Sequence, residues 1–375
     1  MASIPARQGL LSALALALVA CAPAAGPTAA PTAPASAPAG PASVSAPAGA
    51  LAAPTAAAAP PSPIAVKVAD SLSGTLAGLY VGKEKGYFAE EGLEVETVRF
   101  PSLEPQIAPL GTNEIDVGQG GFVPGLFNAI ARGIPLRMVA TAAVHAPGRS
   151  QLIVARRDVL DSGQLQEYAG LRGKTISRPS SFSIATLTID KALKLGGLRD
   201  DDVEWVTLGF PDAVAALTNK GIDLGYLSEP FATSAIEQGI AGKWREMSEL
   251  VPNHPASIWV YAPRLTQEQP DAGRRFMAAL LRGVREYEDA FTKNQGRAEM
   301  VATLIRNTGI KDPALYDRMT IIRLPPSGET NVQALQEDLD WLVEKGAVTQ
   351  PPPLSEVLDT RFTDYAVQRL GPYRE

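Results

Sequence analysis

One cysteine and two histidines are all the thiol and imidazole that 375 residues offer for metal and redox chemistry. The cysteine, Cys21, lies ahead of the part of the chain that can fold, so disulfides, four-cysteine zinc sites, iron–sulfur clusters and a cysteine nucleophile are excluded there. His145 and His254 stand far apart in sequence. No G-x-S-x-G elbow is present, and two phosphate-binding look-alikes fail. Gly173-Lys174-Thr175 has Tyr168 where a P-loop needs its first glycine, and Gly118-Gln119-Gly120-Gly121 runs on to Val123 where a dinucleotide fingerprint needs glycine. No cofactor is expected. Basic excess is also missing: residues 64–375 carry 33 Lys and Arg against 40 Asp and Glu, a formal charge of −7. A mildly acidic domain with dispersed charge argues against a nucleic-acid partner.

Charge is wholly absent from residues 22–63, where 30 of 42 positions are Ala or Pro. Such a stretch cannot bury enough side chain to offset ordering entropy and reads as a disordered tether. Extended polyproline advances ~3.1 Å per residue, giving a reach on the order of 100 Å. Ahead of it, Arg7 supplies a positive start and Gly9–Ala20 an uncharged run too short to span a bilayer. Residues 1–20 therefore read as a secretory signal. Leu18-Val19-Ala20-Cys21 resembles a bacterial lipobox, which makes Cys21 the expected acylation site and lipid anchoring at the extracytoplasmic face of the cell membrane the expected location.

From Ile64 onward, short β-rich runs alternate with helical patterns. Strands are expected at Ile64–Ala69, Val95–Phe100, Ile115–Val117, Leu136–Thr141, Leu152–Ala155, Lys174–Ser177, Val203–Leu208, Leu224–Leu227 and Ile258–Tyr261. Helices are expected at Thr75–Lys85, Val123–Ala131, Ile184–Leu195 and Asp212–Thr218. This alternation predicts an α/β fold of βαβ units on parallel sheets. After Pro263 helices take over, with apolar stripes at Phe276, Leu280, Val284, Tyr287 and Phe291, and at Val332, Leu335, Leu339 and Leu342.

Three stretches carry a family resemblance. Ser71-Leu-Ser-Gly-Thr75 is followed by Lys85-Gly-Tyr-Phe-Ala-Glu-Glu-Gly-Leu-Glu94. Gly111-Thr-Asn-Glu-Ile-Asp-Val-Gly118 precedes Asn128-Ala-Ile-Ala-Arg-Gly133. Leu171-Arg-Gly-Lys-Thr-Ile-Ser177 leads to Ser180-Ser-Phe-Ser183, then to Ala216–Leu224 and Glu229-Pro-Phe231. In order and spacing this series resembles the SsuA/THI5-like (NMT1/THI5-like) solute-binding lipoproteins of ABC transporters. The resemblance implies a two-lobed type II periplasmic-binding-protein fold with a hinge and an interlobe ligand cleft. The expected division is 64–147 for lobe 1, 148–262 for lobe 2, and 263–375 for completion of lobe 1 and the C-terminal helices. Crossings are expected near Ala146–Arg149 and near Tyr261–Arg264. It further implies a monomer that hands a small molecule to a membrane permease and its ATPase, touching the membrane only through its lipid. Fungal pyrimidine synthases share the fold but carry a cysteine-rich motif, so the absence of cysteine from this domain argues against an enzyme.

Ligand contacts are expected in loops at the carboxyl ends of strands. Ser71, Ser73 and Thr75, and likewise Ser180, Ser181 and Ser183, precede helices, where such residues cap and can also meet a ligand. Gly121 with Gly120 allows close backbone approach. Tyr80, Phe122, Phe182, Phe210, Phe231, Trp259 and Tyr261 are either core or stacking walls for a flat ring. Glu229 is either a solvated carboxylate or a hydrogen-bond acceptor. An anion would call on Arg149 or Arg178. Within the family the expectation is a vitamin-like heteroaromatic, a flavin such as riboflavin or a thiamine-pyrimidine precursor, with taurine, an alkanesulfonate or nitrate as the alternative.

Overall fold

The computed structural model describes residues 62–374. The signal sequence, Cys21 and most of the Ala/Pro tether lie outside the described residues. Ten strands occur among those described: β1 (Ile64–Asp70), β2 (Leu93–Arg99), β3 (Val117–Gly120), β4 (Arg137–His145), β5 (Leu152–Arg156), β6 (Thr175–Arg178), β7 (Glu204–Thr207), β8 (Leu224–Leu227), β9 (Ala241–Glu246) and β10 (His254–Tyr261). They form two five-stranded sheets, ordered β2-β1-β3-β10-β4 and β7-β6-β8-β5-β9. Each sheet is the base of one lobe. The strands β1, β2 and β3 run parallel, as do β6, β7 and β8. The expectation of parallel sheets holds only for those cores. β10 is antiparallel to both β3 and β4, and β5 is antiparallel to β8 and β9.

β10 also corrects the expected division. Read along the chain it closes lobe 2, yet it lies in the middle of the first sheet. The chain therefore crosses once between β4 and β5 and returns between β9 and β10, across 247–253, about ten residues earlier than Tyr261–Arg264. The return is fixed by Ile258, Trp259, Val260 and Tyr261 of β10, which pair with β3 on one side and β4 on the other and are all buried. The two histidines meet at this junction, His254 in register with His145.

The first sheet is backed by the helix Pro270–Thr292, which buries Phe276, Leu280, Val284 and Tyr287 as their spacing requires. It packs against the helix Ala77–Glu84 at glycine contact: a Cβ on Gly283 would collide with the carbonyl oxygen of Gly78. The last third of the chain does more than complete lobe 1. The helix Val332–Glu344 lies against Ile184–Leu195 of the second lobe, through Lys191–Glu337 (2.7 Å), Lys345–Asp190 (2.9 Å) and an edge-on contact of Phe182 with Trp341. Val332 itself faces solvent, while Leu335, Leu339 and Leu342 are buried.

Candidate functional site

A cleft of about 440 Å³ opens between the sheets, at the carboxyl ends of β1, β3 and β8. Its first wall comes from Ser71, Ser73 and Thr75 beyond β1, Gln119 to Gly121 at the end of β3, and Ser257 on β10. Ser73 caps the turn Gly74–Leu76 by accepting the Thr75 N–H (3.3 Å). Gln119 is only 3% exposed, and its amide donates to Thr75 Oγ1 and to Ser257 Oγ, both at 3.0 Å. The Thr75 hydroxyl in turn donates to Ser73 Oγ (3.0 Å). One glutamine thus orients three hydroxyls at the cleft floor.

Gln119 is placed by a lock with Gln106. Gln106 Oε1 accepts the Gln119 backbone N–H (2.9 Å), and Gln106 Nε2 donates to the Gln119 carbonyl (3.0 Å). The side-chain amide imitates a neighbouring strand and satisfies a backbone edge that would otherwise be buried unpaired. The loop carrying Gln106 can come this close because position 120 is glycine: a Cβ there would meet Leu103 at 2.8 Å.

The opposite wall is aromatic. Phe210 lies 5.6 Å from Tyr226 and 5.9 Å from Phe231, centroid to centroid, and all three line the cleft. Burial pushes the Tyr226 hydroxyl pKa upward, so it stays protonated. Among the residues lining the cleft there is no lysine and no arginine. The single charged side chain is Glu229, and both of its oxygens are taken, one by the Thr233 N–H (3.1 Å) and one by the Thr320 N–H (3.0 Å).

Of the residues singled out from sequence, Ser71, Ser73, Thr75, Gly120, Gly121, Phe210, Glu229 and Phe231 come together here. The others do not. Tyr80 is buried in lobe 1 and donates to Asp70 (2.7 Å), which also accepts the Leu72 N–H, so it supports the cleft loop from behind. Burial, then the Asp70 carboxylate, drive its pKa upward. Phe122 is 5% exposed and stacks on Phe127 in the core. Trp259 is 2% exposed on the sheet face that meets the lobe 1 helices. Ser180, Ser181 and Phe182 lie outside the cleft lining: Ser183 caps the helix Ile184–Leu195 (3.3 Å to Thr186 N), Ser180 donates back to the Phe182 carbonyl, and the Phe182 ring meets Trp341.

Both candidate arginines are engaged elsewhere. Arg149 closes on Glu288 with two bonds (2.5 and 2.9 Å) and donates to the carbonyls of Ile321 and Ile322. Arg178 covers the Trp205 ring at 4.5 Å. The sequence reading missed Gln119, Ser257, Tyr226 and Ser228. The only available signal was the glycine on either side of Gln119, which marks a strand pressed close to its neighbours.

Two mixed α/β lobes, joined by two crossings and facing one another across a cleft at their strand ends, define the periplasmic-binding-protein class. A family profile described as NMT1/THI5 like matches residues 74–290, well over half of the chain, and the chain belongs to that family. It is 27% identical over 222 residues to a protein of Escherichia coli (strain K12) named for binding aliphatic sulfonates, covering 59% of this chain and 65% of that one. It is 26% identical over 221 residues to a protein of Brucella abortus (strain 2308) named as a binding protein, covering 57% of this chain. The match spans only 62% of that relative's length. Among solved structures, the periplasmic aliphatic sulphonate binding protein SsuA from Escherichia coli superposes with a TM-score of 0.64 at 20% identity, over 80% of this chain and 92% of the other, a likeness of fold.

Proposed function

We propose that this chain is the solute-binding component of an ABC importer, tethered outside the cell membrane by an acylated Cys21 and the Ala/Pro segment, with no catalytic step of its own. Its partners on this reading are a permease and an ATPase. The solute is a flat, uncharged heteroaromatic of the flavin or thiamine-pyrimidine kind. One observation carries the ligand class: three aromatic rings line one wall, hydroxyls and an amide line the other, and no cation lines the cleft. A ring stacks on or packs edge-to-face with Phe210, Tyr226 and Phe231, while its nitrogen and amino edge finds Ser73, Thr75 and Ser257. An anion would forgo the charge-assisted bonds that Arg149 and Arg178 could have supplied. The second reading, a sulfonate or nitrate, draws support from the name of the Escherichia coli relative.

Thermal unfolding of the purified chain, stripped of bound solute, separates the two. The panel holds riboflavin, thiamine, 4-amino-5-hydroxymethyl-2-methylpyrimidine, taurine, ethanesulfonate and nitrate. A ligand at 100 times its Kd adds about 2.7 kcal/mol of stability. A shift with a heterocycle supports the reading; shifts confined to the anions reverse the ligand class.

A further inference from the structure

The cleft does not end at Glu229. Behind it lies a smaller chamber of about 100 Å³ that shares Ser73, Thr75, Ser228 and Glu229 with the cleft at its mouth. Ile310 stands at that mouth too; the far walls are Tyr287, Leu304, Tyr316, Met319 and Ile322, with Ser150 and Thr320 among them. The two tyrosine hydroxyls there are already paired. Tyr287 donates to the Ile322 carbonyl (2.9 Å), and Tyr316 shares a bond with Thr308 Oγ1 (3.2 Å). Apart from Ser150 and Thr320, the back of the chamber therefore presents mostly hydrocarbon and ring surface.

The wall is held in place from the other lobe. Glu229 accepts the Thr320 N–H, and Arg149, itself locked on Glu288, holds the carbonyls of Ile321 and Ile322. Segment 319–322 is thus pinned at three successive backbone groups by side chains of the second lobe and of the crossing after β4. Such a braced cavity is pre-organised for a guest and has little to lose in order when filled.

We infer that the ligand carries a short apolar arm beside its hydrogen-bonding edge, and that this arm enters the chamber, with Ile310 and Met319 setting its permitted size. The inference rests on the cleft being the solute site proposed above. An arm of a few carbon atoms displaces poorly held water and buries methylenes, each worth about a fourfold gain in affinity until the chamber is full.

The test is a titration of the full chain with 4-aminopyrimidines bearing methyl, ethyl, propyl or butyl at carbon 2, run beside the matching one- to four-carbon alkanesulfonates. Affinity should climb about fourfold per methylene in wild type. In Met319→Trp, which fills the chamber, the climb should flatten. Ile310→Phe serves the same purpose if Met319→Trp melts early. Pyrimidines that bind with no dependence on arm length, or a climb that survives both substitutions, would overturn the chamber's role and leave the heteroaromatic reading standing. A climb seen only among the sulfonates, and lost in Met319→Trp, would keep the chamber and overturn that reading. Binding by neither series would overturn both.

Discussion

Arg149 and Glu288 stand 139 residues apart, yet they close a two-pronged ion pair of 2.5 and 2.9 Å at the junction between the lobes. Glu288 is almost fully buried, and it also accepts the Leu324 N–H (2.8 Å). Burial alone would lower the Arg149 pKa, but the Glu288 contacts more than reverse that, and the pKa is raised. Arginine at the crossing after β4 is thus a brace between the crossing, the helix Pro270–Thr292 and the segment 321–324.

Removing one partner of this brace leaves the other charge buried and unpaired. Arg149→Met is expected to cost about 3 kcal/mol of unfolding free energy. Urea unfolding measures it. The double substitution Arg149→Met with Glu288→Leu should recover part of the loss; a double variant no better than Arg149→Met would show the brace to be something other than an ion pair.

Gln119→Leu keeps the volume and removes both donors. The hydroxyls of Thr75 and Ser257 lose their orienting partner, and stability falls by about 1–3 kcal/mol. Solute affinity measured by calorimetry on the folded protein should drop by at least about tenfold, the loss of one buried hydrogen-bonding group. Unchanged affinity would remove the polar wall from the site.

Phe210→Ala and Trp259→Ala are expected to fail differently. Trp259 fills the lobe 1 core, so its truncation costs about 3–5 kcal/mol of stability. Phe210 is partly exposed at the cleft, so its truncation should lower heterocycle affinity with a smaller stability loss. Melting curves with and without solute separate the two; a reversed pattern would place the binding wall on the other sheet.

Acid should weaken the fold through His145. Burial, and secondarily the neighbouring His254, hold its imidazole neutral, with the pKa pushed down to about 3. A depressed histidine pKa means that the unfolded chain binds the proton more readily. This contribution is therefore complete above the ordinary value of about 6.5 and is lost as pH falls from there towards 3, at about 1.4 kcal/mol per unit. His254 works in the opposite sense: burial lowers its pKa, but the Asp338 carboxylate at 3.2 Å outweighs that and raises it. Urea unfolding at about pH 7.5 and about pH 5, either side of the ordinary histidine value, should show a smaller acid loss in His145→Gln than in wild type. Equal losses would contradict it.

Local periodicity was enough for much of the frame. Ile184–Leu195 and Leu224–Leu227 have the bounds expected from pattern, because a capping serine, a double glycine and a short run ending in Leu act within a few residues. β9, Ala241–Glu246, offered no such pattern, since Lys243 and Arg245 interrupt its apolar positions. Long-range choices were out of reach. Nothing near β10 says that it slots between β3 and β4, and nothing near Arg149 names Glu288. At the site, the serines beyond β1 announce a helix start and happen to face the cleft. Gln119 is a lone amide in a short strand, legible only once Ser257 has been brought beside it.

The most direct test of the account is calorimetric titration of wild-type protein and Phe210→Ala with 4-amino-5-hydroxymethyl-2-methylpyrimidine, riboflavin and ethanesulfonate in turn. The account predicts saturable one-to-one binding of a heterocycle by wild type, weakened at least about tenfold in Phe210→Ala, with no heat from ethanesulfonate. Saturable binding of ethanesulfonate alone, unaltered by the loss of the Phe210 ring, would contradict it.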